Sequence, residues 1–163
     1  MNRAPRTLVI GLGNLCRGDD GAGPVAARRL RDLALPDLEV REESGEGAAL
    51  MEAWKNADAV ILIDAAQSGA VPGTIHRLDA SERPVPSRLF HYSTHAFSVA
   101  EAVELARALD QLPPRLILYG IEGRDFRAGE KLSPEIEAAV DELVRRVRMD
   151  CAVVHRRPAG SPN

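Results

Sequence analysis

Short runs of Val, Ile and Leu alternate along this chain with stretches in which apolar residues recur every three or four positions. The runs, bounded by turn residues, predict strands over 7–11, 38–41, 59–64, 74–78 and 115–121. The three-to-four spacing predicts helices over 21–33, 47–55, 93–109 and 134–148. The last is the best marked. Ser133 stands as a cap, Pro134 at the first helical position and Glu135 in the first turn, while Ile136, Val140, Leu143, Val144 and Val147 share one face. Such alternation predicts an α/β fold: a three-layer α/β/α sandwich around a mainly parallel, twisted sheet of about five strands. The segment 71–88 breaks the rhythm. Gly73 and three prolines frame Thr-Ile-His-Arg-Leu, which reads as an edge strand followed by an irregular loop.

Length and composition narrow this picture. The 163 residues are expected to form one domain, 1–155, followed by a disordered tail, 156–163, that carries Pro158, Gly160 and Pro162. Apolar residues make up 45% and charged residues 28%, the balance of a globular protein. A formal net charge of -3, without a basic stripe, gives no reason to expect nucleic acid. No apolar run approaches the roughly 18 residues of a membrane span, and the N-terminal region has no signal-peptide core, so a cytoplasmic protein is expected. Cys16 and Cys151 do not make a disulfide framework.

Chemistry is expected beyond the carboxyl ends of the strands, where ligands gather in open α/β sheets. The turn Gly11-Leu12-Gly13-Asn14 resembles a dinucleotide loop only in part, because Cys16 stands where the third glycine is required. Asp19 and Asp20 follow, and two carboxylates repel a pyrophosphate but hold a cation. Asp64 ends the apolar run Ala-Val-Ile-Leu-Ile-Asp, where an unpartnered carboxylate is costly. His95 stands near the start of the third helix. Two carboxylates and an imidazole suit a borderline divalent ion with open coordination positions. Each residue also has a purely structural reading: Asp20 as a partner of the helix dipole, Asp64 as an acceptor for amides in its turn, His95 as a helix-start residue. Cys16, His91 and Tyr92 are weaker candidates. Ser44, Ser68 and Ser93 lack a nucleophile-elbow context, and His76 and His155 are expected to lie away from the site.

Taken in order, Gly11-Leu12-Gly13-Asn14, Asp19-Asp20-Gly21-Ala22-Gly23, Leu62-Ile63-Asp64-Ala65, Pro72-Gly73-Thr74, Ser93-Thr94-His95, Tyr119-Gly120-Ile121-Glu122 and Leu132-Ser133-Pro134-Glu135 resemble the hydrogenase maturation proteases. The resemblance implies an endopeptidase that removes the C-terminal extension of a nickel-iron hydrogenase large-subunit precursor after nickel insertion. It also implies that Asp20, Asp64 and His95 form the catalytic, metal-facing triad, and that nickel is supplied by the substrate, so a resident divalent metal is not required. Two departures stand out. Asp20 is shorter than the glutamate of some relatives, and Glu43-Ser44-Gly45-Glu46-Gly47 replaces a glycine-rich turn with threonine, making the rim more acidic. Asp19 remains an alternative to Asp20. A competing class is a non-enzymatic nickel-binding or metallochaperone module that uses the same three ligands.

Overall fold

The computed structural model describes residues 5–87, 89 and 97–156, without the side chains of 155 and 156. Its elements are β1 (Thr7–Leu12), a 3-10 turn (Gly18–Gly21), α1 (Ala22–Asp32), β2 (Leu38–Glu43), α2 (Gly47–Ala53), β3 (Ala59–Ala66), β4 (Ile75–Asp79), α3 (Val99–Ala108), β5 (Arg115–Glu122) and α4 (Pro134–Arg156). The strand order is β2-β1-β3-β5-β4. All neighbours run parallel except β4, which closes one edge antiparallel to β5.

Side-chain alternation along the strands builds the layers. Leu8, Ile10, Val60, Leu62, Leu116 and Leu118 face Leu50 and Trp54 around α2 and Val99 and Val103 of α3. Their neighbours Val9, Ile61, Ile63, Ile117 and Ile121 face Leu30 of α1 and Ile136, Val140, Leu143 and Val147 of α4. The predicted three-layer sandwich with a mainly parallel sheet is the observed fold. Among the described residues no helix is long and apolar enough to cross a membrane.

Several element ends differ from the sequence reading by one or more residues, and three of them bear on the site or the core. β3 continues to Ala66 because its last residues still pair with β5, Ala66 opposite Glu122, so Asp64 lies two residues inside the strand rather than at its last position. Helix α3 begins at Val99, with the Ser98 hydroxyl accepting from the Glu101 amide at 3.3 Å; residues 93–96 of the expected helix lie outside the described residues. Helix α4 runs to Arg156 instead of stopping near 148. Its extra turns are anchored by buried Cys151 and by Asp150, which accepts from the Tyr119 hydroxyl at 2.5 Å and takes both Arg77 guanidinium contacts. Burial raises the Tyr119 pKa, and its bond to Asp150 raises it further. Most of the expected tail, 157–163, lies outside the described residues.

Candidate active site

Helix α1 sits close on the sheet because two glycines remove the side chains that would hold it off. A Cβ on Gly23 would lie 2.2 Å from the Leu12 carbonyl oxygen and 2.5 Å from that of Ile63. At Gly13, where φ is +135°, a Cβ would lie 2.0 Å from the Asp20 carbonyl oxygen. The turn carrying Asp20 is thereby pressed against the ends of β1 and β3, next to Ile63 and Asp64.

Asp20 stands near enough to Asp64 there for its charge to act on it. The Asp20 carboxylate accepts from the Asn14 amide at 2.9 Å, and the Asn14 side chain accepts from the Cys16 amide at 2.8 Å, so the loop folds around its own acid. Asp64 is half-buried and accepts from the Ala65 amide at 2.8 Å. Burial, reinforced by the negative charge of Asp20, pushes the Asp64 carboxyl up to about 8, and the single Ala65 amide only partly opposes this. A carboxylate serving its turn alone would be stabilised in its charged form by its amides. Asp64 shows the reverse: its burial and the neighbouring charge of Asp20 outweigh the one amide that favours its charged form.

Asp19 has a different task. It is fully buried, and its two oxygens accept from the amides of Arg124, Asp125 and Ser133 at 2.8, 2.8 and 2.7 Å and from the Ser133 hydroxyl at 2.9 Å. Its own amide donates to the Asp125 carbonyl at 2.8 Å. Hydrogen bonding distinguishes the two adjacent acids: Asp19 clamps the β5–α4 connection, and Asp20 borders open space.

That space is a groove of about 650 Å³ bordered by Asn14, Cys16, Asp20, Glu42, Glu43 and Ser44. Cys16 is exposed on it. Glu46, expected to add to the acidic rim, instead caps α2, accepting from the Ala48 and Ala49 amides at 3.0 and 2.9 Å. Glu43 remains on the rim, and its carbonyl accepts from the Gly13 amide at 3.3 Å.

Glu122 was not singled out as a site residue by the sequence reading. It is 2% exposed, at the end of β5, and accepts from the Ser68 amide at 2.7 Å, the Ser68 hydroxyl and Gly69 amide at 2.9 Å, and the His76 ring at 3.1 Å. These bonds hold its carboxyl below the usual range against the cost of burial. His76, expected to lie apart, is thus drawn to the carboxyl edge of the sheet through Glu122, on the same face as Asp64 by strand alternation. The signal available in sequence was the acid at the end of the run Leu-Ile-Leu-Tyr-Gly-Ile-Glu, the same signal that marked Asp64.

His95, with His91, Tyr92 and Ser93, lies outside the described residues, as does the His155 side chain. Among the described residues no three His, Cys, Asp or Glu side chains stand together as a metal site. Asp20 and Asp64 fit a divalent cation, because bringing one in would relieve both the desolvation of Asp64 and its repulsion from Asp20.

These features define an α/β protein with paired acids at the carboxyl edge of a parallel sheet. The profile of the hydrogenase maturation proteases (HycI) matches residues 34–149. The chain is 32% identical over 143 residues to a Methanocaldococcus jannaschii protein named for the same family, covering 84% of this chain and 90% of that one. It is 29% identical over 156 residues to the hydrogenase expression/formation protein HupD of Thiocapsa roseopersicina, covering 89% and 71%. In three dimensions it is similar to a hydrogenase 2 maturation peptidase of a Thaumarchaeota archaeon, with a TM-score of 0.69, 27% identity and coverage of 91% and 99%. It also shares its fold with the hydrogenase maturating endopeptidase HybD of Escherichia coli, with a TM-score of 0.77, 24% identity and coverage of 91% and 93%. The chain belongs to the hydrogenase maturation protease family and is a peptidase, which sets aside the non-enzymatic binding module. The profile match begins after the first loop, so it covers Asp64 and His95 but not Asp20.

Proposed function

We propose that this peptidase removes the C-terminal extension of a nickel-iron hydrogenase large-subunit precursor after nickel has been inserted, and that the substrate's nickel docks against Asp20, Asp64 and His95. The observation that carries the reading is the pair of acids at the carboxyl edge of the sheet: Asp64, pushed up to about 8 by burial and by the charge of Asp20, and Asp20 itself, which lines a groove of about 650 Å³. Near neutral pH the Asp64 carboxyl holds a proton until a cation arrives, and then releases it. Bound at these residues, the substrate's nickel would supply Lewis-acid polarisation of the scissile carbonyl. Asp20 and Asp64 hold the cation, and whichever carboxylate is left facing the attacking water accepts its proton. Asp19 keeps the Asp20 turn fixed through its buried bonds while a substrate enters.

The test is processing of a purified large-subunit precursor followed by mass spectrometry. The reading expects the nickel-loaded precursor to be shortened and the nickel-free precursor to be left intact. Equal cutting of both would remove nickel from recognition.

A further inference from the structure

The order β2-β1-β3-β5-β4 lays the carboxyl ends of the strands out in a line, and the charges along that line change sign. Over β2 stand Glu42 and Glu43. Over β1 and β3, in the middle, stand Asp20 and Asp64. Beyond β3 and β5 lies a second depression of about 570 Å³, bordered by Arg17, Gln67, Arg124, Asp125, Phe126 and Arg127. Arg17, Arg124 and Arg127 border it together with Asp125, and Glu135 pairs with Arg124 beside it. Arg17 borders both depressions, so the basic one adjoins the depression that Asp20 lines.

We propose that the basic depression is a subsite for acidic side chains of the polypeptide substrate, seating them on the β5 side of the paired acids. This rests on the peptidase reading for its substrate, but not on nickel. Two features support a built subsite rather than scattered surface charge. The backbone carrying Arg124 and Asp125 is held by the buried Asp19 carboxylate, and the Arg17–Gly18 backbone is paired with Gly129, so the guanidiniums rise from a fixed frame tied to the Asp20 turn. Gly18, with φ +56°, allows that frame to close, since a Cβ there would lie 2.4 Å from the Asp125 carbonyl oxygen. The present partners of the arginines, Glu135 for Arg124 and Asp125 for Arg127, are solvent-exposed pairs of the kind that exchange readily for a better-placed carboxylate. Arginine offers that carboxylate a planar two-pronged contact. Because the chain as a whole carries a net charge of -3, the depression is a local inversion of sign, and it would steer an acidic segment toward one side of the paired acids only.

The test uses the full chain, the double variant Arg124→Glu/Arg127→Glu, the conservative Arg124→Lys/Arg127→Lys, and Arg145→Glu/Arg146→Glu on α4 as a control of equal charge change. One arm measures anisotropy of a labelled glutamate-rich peptide and its glutamine counterpart, at low ionic strength and at about 0.15 M salt. The glutamate peptide is expected to bind the wild type at least about tenfold more tightly than the glutamine peptide at low salt. That preference should vanish in the Arg124→Glu/Arg127→Glu variant, persist in part in the lysine variant and persist fully in the α4 control. The second arm measures precursor processing, where charge reversal should raise KM with little change in kcat. Equal binding of the two peptides, equal loss in the α4 control, or tighter binding of a single-stranded RNA of the same length would overturn the subsite. If the peptide arm holds and no precursor is cut by the wild type, the subsite stands and the peptidase assignment to that substrate falls. Thermal midpoints of all variants show that any loss comes from folded protein.

Discussion

Asp64 holds more of the account than any other residue. Its folded carboxyl titrates near 8, against an ordinary value of about 4 in an unfolded chain. Between those values the folded state keeps a proton that the unfolded state has lost, so stability falls as pH rises through that window, by at most about 1.4 kcal/mol per pH unit. Urea midpoints measured across the window should show this slope in the wild type and a flatter one in Asp64→Asn. At neutral pH the variant should melt at the same temperature as the wild type or higher while losing cleavage; a lower melting temperature with cleavage retained would make Asp64 structural. Because the charge of Asp20 contributes to the shift, Asp20→Asn should lower the Asp64 pKa, read from the carboxyl carbon resonance. The same proton governs cation binding. Cadmium or zinc, used as a surrogate for nickel, should bind more tightly as pH rises toward 8 and level off above it, with proton release visible as a buffer-dependent calorimetric heat. Asp19 and Asp20 show where sequence could not reach. They are adjacent and chemically identical, and what separates them is a set of partners 105 to 114 residues away that only the folded chain brings to Asp19. Asp19→Ala should therefore cost on the order of 3 kcal/mol or more by leaving buried amides unpaired, measured by urea unfolding.

Between elements, the site depends on how closely α1 approaches the ends of β1 and β3. Gly23→Ala places a methyl against two backbone carbonyls, with no flexible side chain to give way. It should cost roughly 1–3 kcal/mol as an overpacked contact, seen as a lower unfolding midpoint. It should also weaken surrogate-metal binding by lifting the Asp20 turn away from Asp64. A variant that loses stability but binds metal as the wild type does would separate the glycine from the site. Element identity was legible from the apolar pattern because both periodicities are pronounced, and every strand and helix expected over the described residues is present. Element ends were less so. The pattern in α4 weakens after Val147, and its continuation is decided by the Asp150 contacts to Tyr119 and Arg77, residues on two different strands. The apolar run of β3 ends at Ile63, yet pairing with β5 carries the strand three residues further and buries the base of Asp64.

At the scale of the molecule, sheet order converts distant sequence segments into one edge on which Glu43, Asp20, Asp64, Glu122 and the arginines of 124–127 follow one another. Asp64 was visible in sequence because it ends an apolar run leading to the carboxyl edge, and Asp20 because it follows the first strand in a loop unsuited to a pyrophosphate. The basic end was not, since Arg17 and Arg124 stand more than a hundred positions apart and meet only through the clamp made by Asp19. The glycines of the first loop looked half like a nucleotide site, but their packing shows them admitting α1 to the sheet rather than a phosphate. The most direct measurement is cleavage of a nickel-loaded large-subunit precursor by the wild type, Asp20→Asn, Asp64→Asn and His95→Ala, scored by mass, with thermal midpoints on the same preparations. Shortening by the wild type alone is expected, with all three variants folded. Full processing by the folded variants would contradict it.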